Sequence, residues 1–396
     1  MKKVLIWDTF PLSNSGGPNG YLYNIHEYLR KYPTNQITFL SDILGQQSKL
    51  PENSEVKKRN RTAIFVFLRI IFNYCWRVYR LCDVIIPSSI DLNEYDFIHV
   101  HSINQVLGLR KKYPSYHGKI IVTSHCPCLW IDEMLTILPR WAKYLRPFAV
   151  LNECASYDAA DYIMFPCKDA REPYEKDERV RKCFRKNEGK FFYVPSSILD
   201  LKIDETKIQK FEDLGIPKGA FVITYFGRHN EIKGYDILKK VGEALLDKHP
   251  NLYFLCAGRG PIEPLKHSRW IELGFINNAN ELLHQSDLYI LPNRETYFDL
   301  VVLEILRSST RLIFSDTGGN KFFKALQPEE ISELKYFDIG KLDDLLLLVE
   351  GAIKEKELSV DNYKQKGSLN RQLFLKYFTI ETYIDNYIRQ INGLIN

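Results

Sequence analysis

The chain alternates short apolar runs with longer helical patterns, and it does so twice. In the first series the runs are Val4–Trp7, Ile37–Leu40, Phe97–His101, Lys119–Thr123, Tyr162–Phe165 and Phe191–Val194. Helical patterns near 20–31, 61–82, 104–112, 132–156 and 168–185 fill the gaps. The polar segment from Pro195 to Lys218 breaks the rhythm. It restarts with Phe221–Phe226, Leu252–Cys256, Trp270–Phe275, Leu288–Leu291 and Leu312–Ser315, separated by helices at 235–248, 278–285, 299–309 and 319–326. Strands that are apolar along their whole length are buried on both faces, and intervening helices supply the cover. The expected fold class is therefore α/β, with two doubly wound parallel-sheet domains whose ligands bind outside the carboxyl ends of the strands. A length of 396 residues suits two domains. The last third reads as helical, and no repeat of solenoid length is present.

Composition narrows the class. Hydrophobic residues at 45% and charged residues at 26% support a packed core and argue against disorder. No apolar run approaches the roughly 18 residues that span a bilayer; Ala63 to Leu68 is closed by Arg69. Met1-Lys2-Lys3 runs into Val4-Leu5-Ile6-Trp7 and then Asp8, too short for a signal-peptide core, so a cytoplasmic location is expected. Of eight cysteines, six lie singly and suit reduced thiols. The cluster His125-Cys126-Pro127-Cys128 has no second ligand pair at zinc spacing, and no metal is expected there.

The net charge of +5 is partly local. Within 57–82, Arg59, Arg61, Arg69, Arg77 and Arg80 fall on one half of a helix, and Ile64, Phe67, Leu68, Ile71 and Val78 on the other. Two readings stand open: a helix lying on an anionic membrane surface, or a surface helix packed on a sheet with its arginines solvated.

Candidate chemistry sits in strand-to-helix turns. Ser15-Gly16-Gly17-Pro18-Asn19-Gly20 follows the first strand without the GxGxxG spacing of a dinucleotide site. Phe226-Gly227-Arg228 ends a strand of the second series, and Lys233-Gly234 opens the next helix. Two cations there either grip a diphosphate, Arg228 by its fork and Lys233 as a point charge, or are exposed loop charges. Further on, Leu291-Pro292-Asn293-Arg294-Glu295-Thr296 leads into Leu300-Val301-Val302-Leu303-Glu304, where Glu304 is an acid inside an apolar helix and needs partners such as ribose hydroxyls. A loop Ser315 to Asn320, with Gly318-Gly319, follows the next strand.

Taken in order, Gly16-Gly17, His99-Val100-His101, Thr123-Ser124-His125, Phe226-Gly227-Arg228 with Lys233-Gly234, Ala257-Gly258-Arg259-Gly260, Gly274-Phe275, Leu291-Pro292, Leu300 to Glu304 and Gly318-Gly319 resemble the motif set of family-four retaining glycosyltransferases. The resemblance covers nearly the whole chain. It implies a GT-B fold, with two Rossmann-like domains facing a central cleft: an acceptor-binding domain at 1–200, a nucleotide-sugar domain at 201–375, and a C-terminal helix at 376–396 crossing back to the first. It implies transfer of a sugar from a nucleotide-diphosphate sugar, a UDP-sugar, to a glycan or lipid-linked hydroxyl in cell-surface polysaccharide assembly such as capsule or exopolysaccharide. Arg228 and Lys233 would hold the donor diphosphate with the amides of Leu300 and Val301, and Glu304 the ribose. Gly274 and Phe275 would flank the base, Gly16 and Gly17 would leave room for the phosphate, and His125 would reach the transferred sugar. His99 and His101 read as sheet residues. The family's acid eight positions before Glu304 falls on Thr296 here, so either Glu295 serves through a shifted loop or that sugar contact is missing. No Asp-x-Asp ends a strand, and neither a metal cofactor nor a nucleic-acid partner is expected. The competing readings are a catalytically degenerate GT-B subunit that binds glycan or a partner transferase, and a GT-B sugar-nucleotide epimerase.

Overall fold

Two parallel six-stranded sheets organise the chain. The computed structural model describes residues 1–8, 12–13, 17–45, 64–65, 67–69, 71–72, 90–136, 138, 140–202, 208–276 and 278–394. The first sheet holds β1 (Val4–Trp7), β2 (Ile37–Phe39), β3 (Phe97–Val100), β4 (Lys119–Val122), β5 (Tyr162–Phe165) and β6 (Phe191–Tyr193), in the order β2-β1-β3-β4-β5-β6. The second holds β7 (Phe221–Phe226), β8 (Leu252–Ala257), β9 (Trp270–Glu272), β10 (Leu288–Leu291), β11 (Arg311–Ser315) and β12 (Leu334–Phe337), in the order β12-β11-β10-β7-β8-β9. The chain divides into one unit of Met1–Pro166, Tyr174–Val194 and Ile384–Asn396, and another of Cys167–Pro173 and Pro195–Tyr383.

The helices of the first unit are α1 (Gly17–Lys31), α2 (Leu40–Leu44), α3 (Val106–Lys112), α4 (Trp130–Leu135) and α5 (Arg146–Ala159). Then come α6 (Glu172–Glu175), α7 (Glu178–Lys186), α8 (Tyr235–Leu245), α9 (Ala279–Gln285), α10 (Leu300–Arg307), α11 (Leu342–Leu358), α12 (Val360–Tyr377) and α13 (Ile380–Gly393). Central strands are buried end to end, as their unbroken apolar runs require. In the second unit Ile223, Tyr225, Leu238, Val241, Phe254 and Trp270 share one core, with Phe254 stacked on Trp270 at 4.8 Å. Each such side chain contributes roughly 1.5–3 kcal/mol by burial.

The differences from the sequence pattern have local causes. The stretch 132–156 is not one helix: α4 ends at Leu135, a 3-10 segment covers Arg140–Leu145, and α5 starts afresh with Pro147 in its first turn, where the missing N–H costs nothing. The run Trp270–Phe275 stops as strand at Glu272, because Gly274 turns to φ 69°. The 319–326 helix is a 3-10 segment, Gly318–Ala325. Strand β12 was not anticipated; it is an edge strand with Lys335 and Tyr336 half-buried, so it lacks a continuous apolar run.

Candidate functional site

The order of the second sheet reverses at β10 and β7, the kind of position at which open parallel sheets bind ligands beyond the carboxyl ends of the strands. The loop after β7 reaches α8 through Gly234, at φ 65°, where a Cβ would stand 1.8 Å from the Pro292 carbonyl oxygen. Only glycine allows the two loops to meet there. Hydrogen bonds then hold both in place. Tyr225 donates its hydroxyl to the Arg228 carbonyl at 3.0 Å. Tyr289 Oη accepts from Phe226 N at 2.7 Å and donates to Phe226 O at 2.9 Å. Arg294 places its fork on both Asp236 oxygens at 2.7 Å each, and its backbone N–H donates to Ile232 O at 2.8 Å. That pairing holds the Asp236 carboxyl below its usual range.

Charge concentrates on this scaffold. Lys233 Nζ lies 2.6 Å from Asp299 Oδ1, with the two side chains 17% and 16% exposed. The other Asp299 oxygen accepts from Asn293 Nδ2. Asp299 is the N-cap of α10 but makes no side-chain cap bond to it, and Leu300 and Val301 are the first residues of that helix. One turn on, burial pushes the Glu304 carboxyl above its usual range, countered in part by the Arg307 charge. The Glu304 carboxylate accepts no hydrogen bond among the described residues. Arg228 is exposed, Gly274 follows β9, and Phe275 presents its ring at 70% exposure. Thr296 is fully buried and donates to the Thr317 carbonyl at 2.9 Å, tying the β10 and β11 loops together. Glu295, beside it, is half-buried. Gly318 and Gly319 close on that tie, with Gly319 N donating to Thr296 O at 3.3 Å. Glu172 reaches the same loop, accepting from Lys321 Nζ at 2.5 Å and from Gly318 N at 3.3 Å. Sequence reasoning missed Asp299 and Glu172; the position of Asp299 just before the α10 run was the available signal, and Glu172 had none.

The first sheet reverses at β1 and β3, and its carboxyl edge carries three imidazoles and the Asp8 carboxyl, which burial pushes above its usual range. His99 sits within β3, with Nδ1 2.8 Å from Tyr387 Oη and Nε2 2.8 Å from Thr123 Oγ1. Just past the strand, His101 Nδ1 is 2.8 Å from His125 Nε2, so the ring nitrogen at the tip of His125 is already engaged. His125 holds φ 61°, and its ring centroid is 4.7 Å from that of Tyr21. Burial drives all three imidazoles toward the neutral form, His125 to about 3. Trp7 Nε1, Asp8 Oδ2 and His101 Nε2 are buried there without hydrogen-bond partners among the described residues. Gly17 starts α1; Gly16 lies outside the described residues.

Of the segment 57–82, residues 57–63, 66, 70 and 73–82 also lie outside the described residues. Ile64, Phe65, Phe67, Leu68 and Phe72 are helical and exposed, and Phe67 packs edge-on against Trp141 at 4.5 Å. In the same unit Tyr144, Phe148 and Leu151, spaced as one helical stripe, are exposed at 72%, 65% and 55%. No helix among the described residues is long and apolar enough to cross a membrane, and no group of three or more His, Cys, Asp or Glu side chains among them is arranged to hold a metal.

This charged edge falls within residues 220–328, which match the family model for glycosyl transferases group 1. The second unit carries a glycosyl transferases group 1 domain. Over 200 residues the chain is 26% identical to a glycogen synthase of Clostridium kluyveri, a match covering 46% of this chain and 40% of that one. The chain thus spans less than half the length of the clostridial glycogen synthases it matches. It is 22% identical over 318 residues to an uncharacterised 41.2 kDa protein in the cps region of Klebsiella pneumoniae, covering 77% of this chain and 81% of that one. Among solved structures, Anabaena HepE in complex with UDP-glucose superposes with a TM-score of 0.61 at 14% identity, over 99% of this chain and 100% of that one. The fold is the two-domain α/β GT-B fold, as the motif order predicts.

Proposed function

We propose that the protein is a retaining glycosyltransferase that moves a sugar from a nucleotide-diphosphate sugar, a UDP-sugar, to a hydroxyl of a glycan or lipid-linked acceptor. The observation that carries this reading is Glu304. It is a half-buried carboxylate without a hydrogen bond among the described residues, one turn into a helix that starts beside Lys233. Such a group is costly unless a ligand pairs with it, and the two hydroxyls of a ribose suit it. Arg228 and Lys233, with the free amides of Leu300 and Val301, would then meet the diphosphate, whose charge grows as the bond to the sugar breaks. The new bond forms on the same face of the sugar, and the leaving phosphate takes the proton of the acceptor hydroxyl. Glu295 would accept from donor-sugar hydroxyls in place of the acid absent at Thr296. Exposed Phe275 offers the base a stacking partner.

The carboxyl edge of the first sheet suits the acceptor. Trp7 Nε1, Asp8 Oδ2 and His101 Nε2 are unpaired groups that sugar hydroxyls satisfy. The exposed stripe Tyr144, Phe148 and Leu151, together with the exposed apolar residues between 64 and 72, supports docking on an anionic membrane surface, where a lipid-linked acceptor resides. The cps-region relative and the UDP-glucose complex of HepE agree with a UDP-sugar donor and a role in polysaccharide assembly. The test is acceptor-dependent release of UDP from a panel of UDP-sugars, abolished in Glu304→Gln. Release that ignores the acceptor would point to another reaction. A second reading, a non-catalytic subunit, draws on the carboxylate already seated on Lys233; it predicts that no nucleotide binds.

A further inference from the structure

We propose that Asp299 is an internal competitor for the donor's diphosphate: its carboxylate occupies the anion position that Lys233 and the start of α10 offer, so a nucleotide binds only by displacing it. The inference rests on the nucleotide-sugar reading above and names the residue that sets the affinity of that same site.

Three observations carry it. Lys233 Nζ and Asp299 Oδ1 are 2.6 Å apart, within the range of a full charge-assisted contact, and both side chains are more than four-fifths buried. The second Asp299 oxygen is engaged by Asn293 Nδ2, so the carboxylate is held on both sides and does not sweep through solvent. Most telling is what Asp299 leaves undone. An aspartate at a helix N-cap ordinarily accepts from the amides of its own first turn. Asp299 has extended backbone, φ −71° and ψ 122°, suited to that role, and yet makes no such bond. Its side chain serves Lys233 instead, and among the described residues the amides of Leu300 and Val301 have no acceptor, while Val302 N donates to the Asp299 carbonyl.

A phosphate approaching this position meets a lysine that is already neutralised and a carboxylate of its own sign. Binding must break the Lys233–Asp299 contact and leave the carboxylate to water or to the α10 amides. The arrangement therefore lowers the affinity for nucleotide diphosphates below what Lys233, Arg228 and the helix would otherwise supply. For a transferase this favours departure of the nucleoside diphosphate after the sugar has gone.

Calorimetric titration of UDP and of inorganic pyrophosphate into the full chain tests the proposal, using wild type, Asp299→Asn and Asp299→Ser. Asn and Ser are both good N-cap residues, so either variant preserves the start of α10; a cooperative melt checks this. The expected result is at least tenfold tighter binding of both ligands in the variants. Binding of UDP to wild type and variants with equal affinity, or more weakly in the variants, would overturn the proposal while leaving the nucleotide reading intact. Tighter pyrophosphate binding in the variants with no UDP binding anywhere would keep the proposal and remove the nucleotide reading. Absence of binding by every form to either ligand would remove both.

Discussion

The two sheets share six parallel strands and a reversal of strand order near β1 in one and β7 in the other, and they differ in what stands at the carboxyl edge. In the first, three buried imidazoles are held neutral, burial raises the Asp8 carboxyl, and Trp7 Nε1 and His101 Nε2 await partners. In the second, an ion pair stands at the start of α10, and Glu304 is an acid without a hydrogen bond among the described residues. Uncharged donors and acceptors read hydroxyl groups; fixed cations and helix amides read phosphate. On the proposed reading, one backbone plan supplies two kinds of recognition, and the loop residues at the strand ends decide which.

The sharpest way to break this comparison is to remove the cations. Lys233→Ala and Arg228→Ala should each lower turnover about 10²–10³-fold if they stabilise the departing diphosphate, measured as UDP release with acceptor present. A variant that keeps wild-type turnover would strip the second edge of its assigned role. Next in size is His101→Phe, which removes the partner of His125 Nε2 and an unpaired nitrogen. Misplacing His125 should cost up to about 10²-fold in turnover while UDP affinity, measured by titration, stays within about twofold. If UDP affinity fell instead, the division of labour between the edges would fail.

Two smaller effects refine the account. Gly234→Ala should destabilise the fold by at least about 1–3 kcal/mol through its left-handed φ alone, with the Pro292 contact adding to it, as read by urea denaturation. The pH dependence carries a definite sign. Because burial raises the folded-state pKa of Glu304, the stability linked to this group is present below its unfolded pKa and is lost as pH rises through the folded value. Glu304→Gln should therefore flatten that loss and slightly raise the apo melting temperature at neutral pH, while UDP binding to wild type weakens as acid protonates the carboxylate. The first edge should lose stability as pH falls below 6.5, because His125, whose pKa moves from 6.5 to about 3 in the fold, takes up a proton on unfolding.

Much of this was legible in the sequence, for physical reasons. Unbroken apolar runs such as Phe221–Phe226 and Leu288–Leu291 announce buried parallel strands, and the glycines following them announce strand-to-helix turns. Edge strand β12 escaped because Lys335 interrupts its apolar run. The break at Pro147 was written in the sequence and underweighted against the apolar periodicity around it. The seat of Asp299 on Lys233 links residues 66 apart, and that of Glu172 on Lys321 links residues 149 apart, pairings that no local pattern encodes. Thr296 likewise looked like a missing acid in the sequence; the structure gives it a tie to Thr317.

The central claim is that the charged edge of the second sheet binds a nucleoside diphosphate through Glu304 and Lys233. Titration of UDP into the wild-type chain and into Glu304→Gln at neutral pH tests it most directly. The account predicts saturable single-site binding to wild type and at least tenfold weaker binding to the variant, with the variant's melting temperature no lower. Equal affinity in the two proteins, or no binding to wild type, would contradict it.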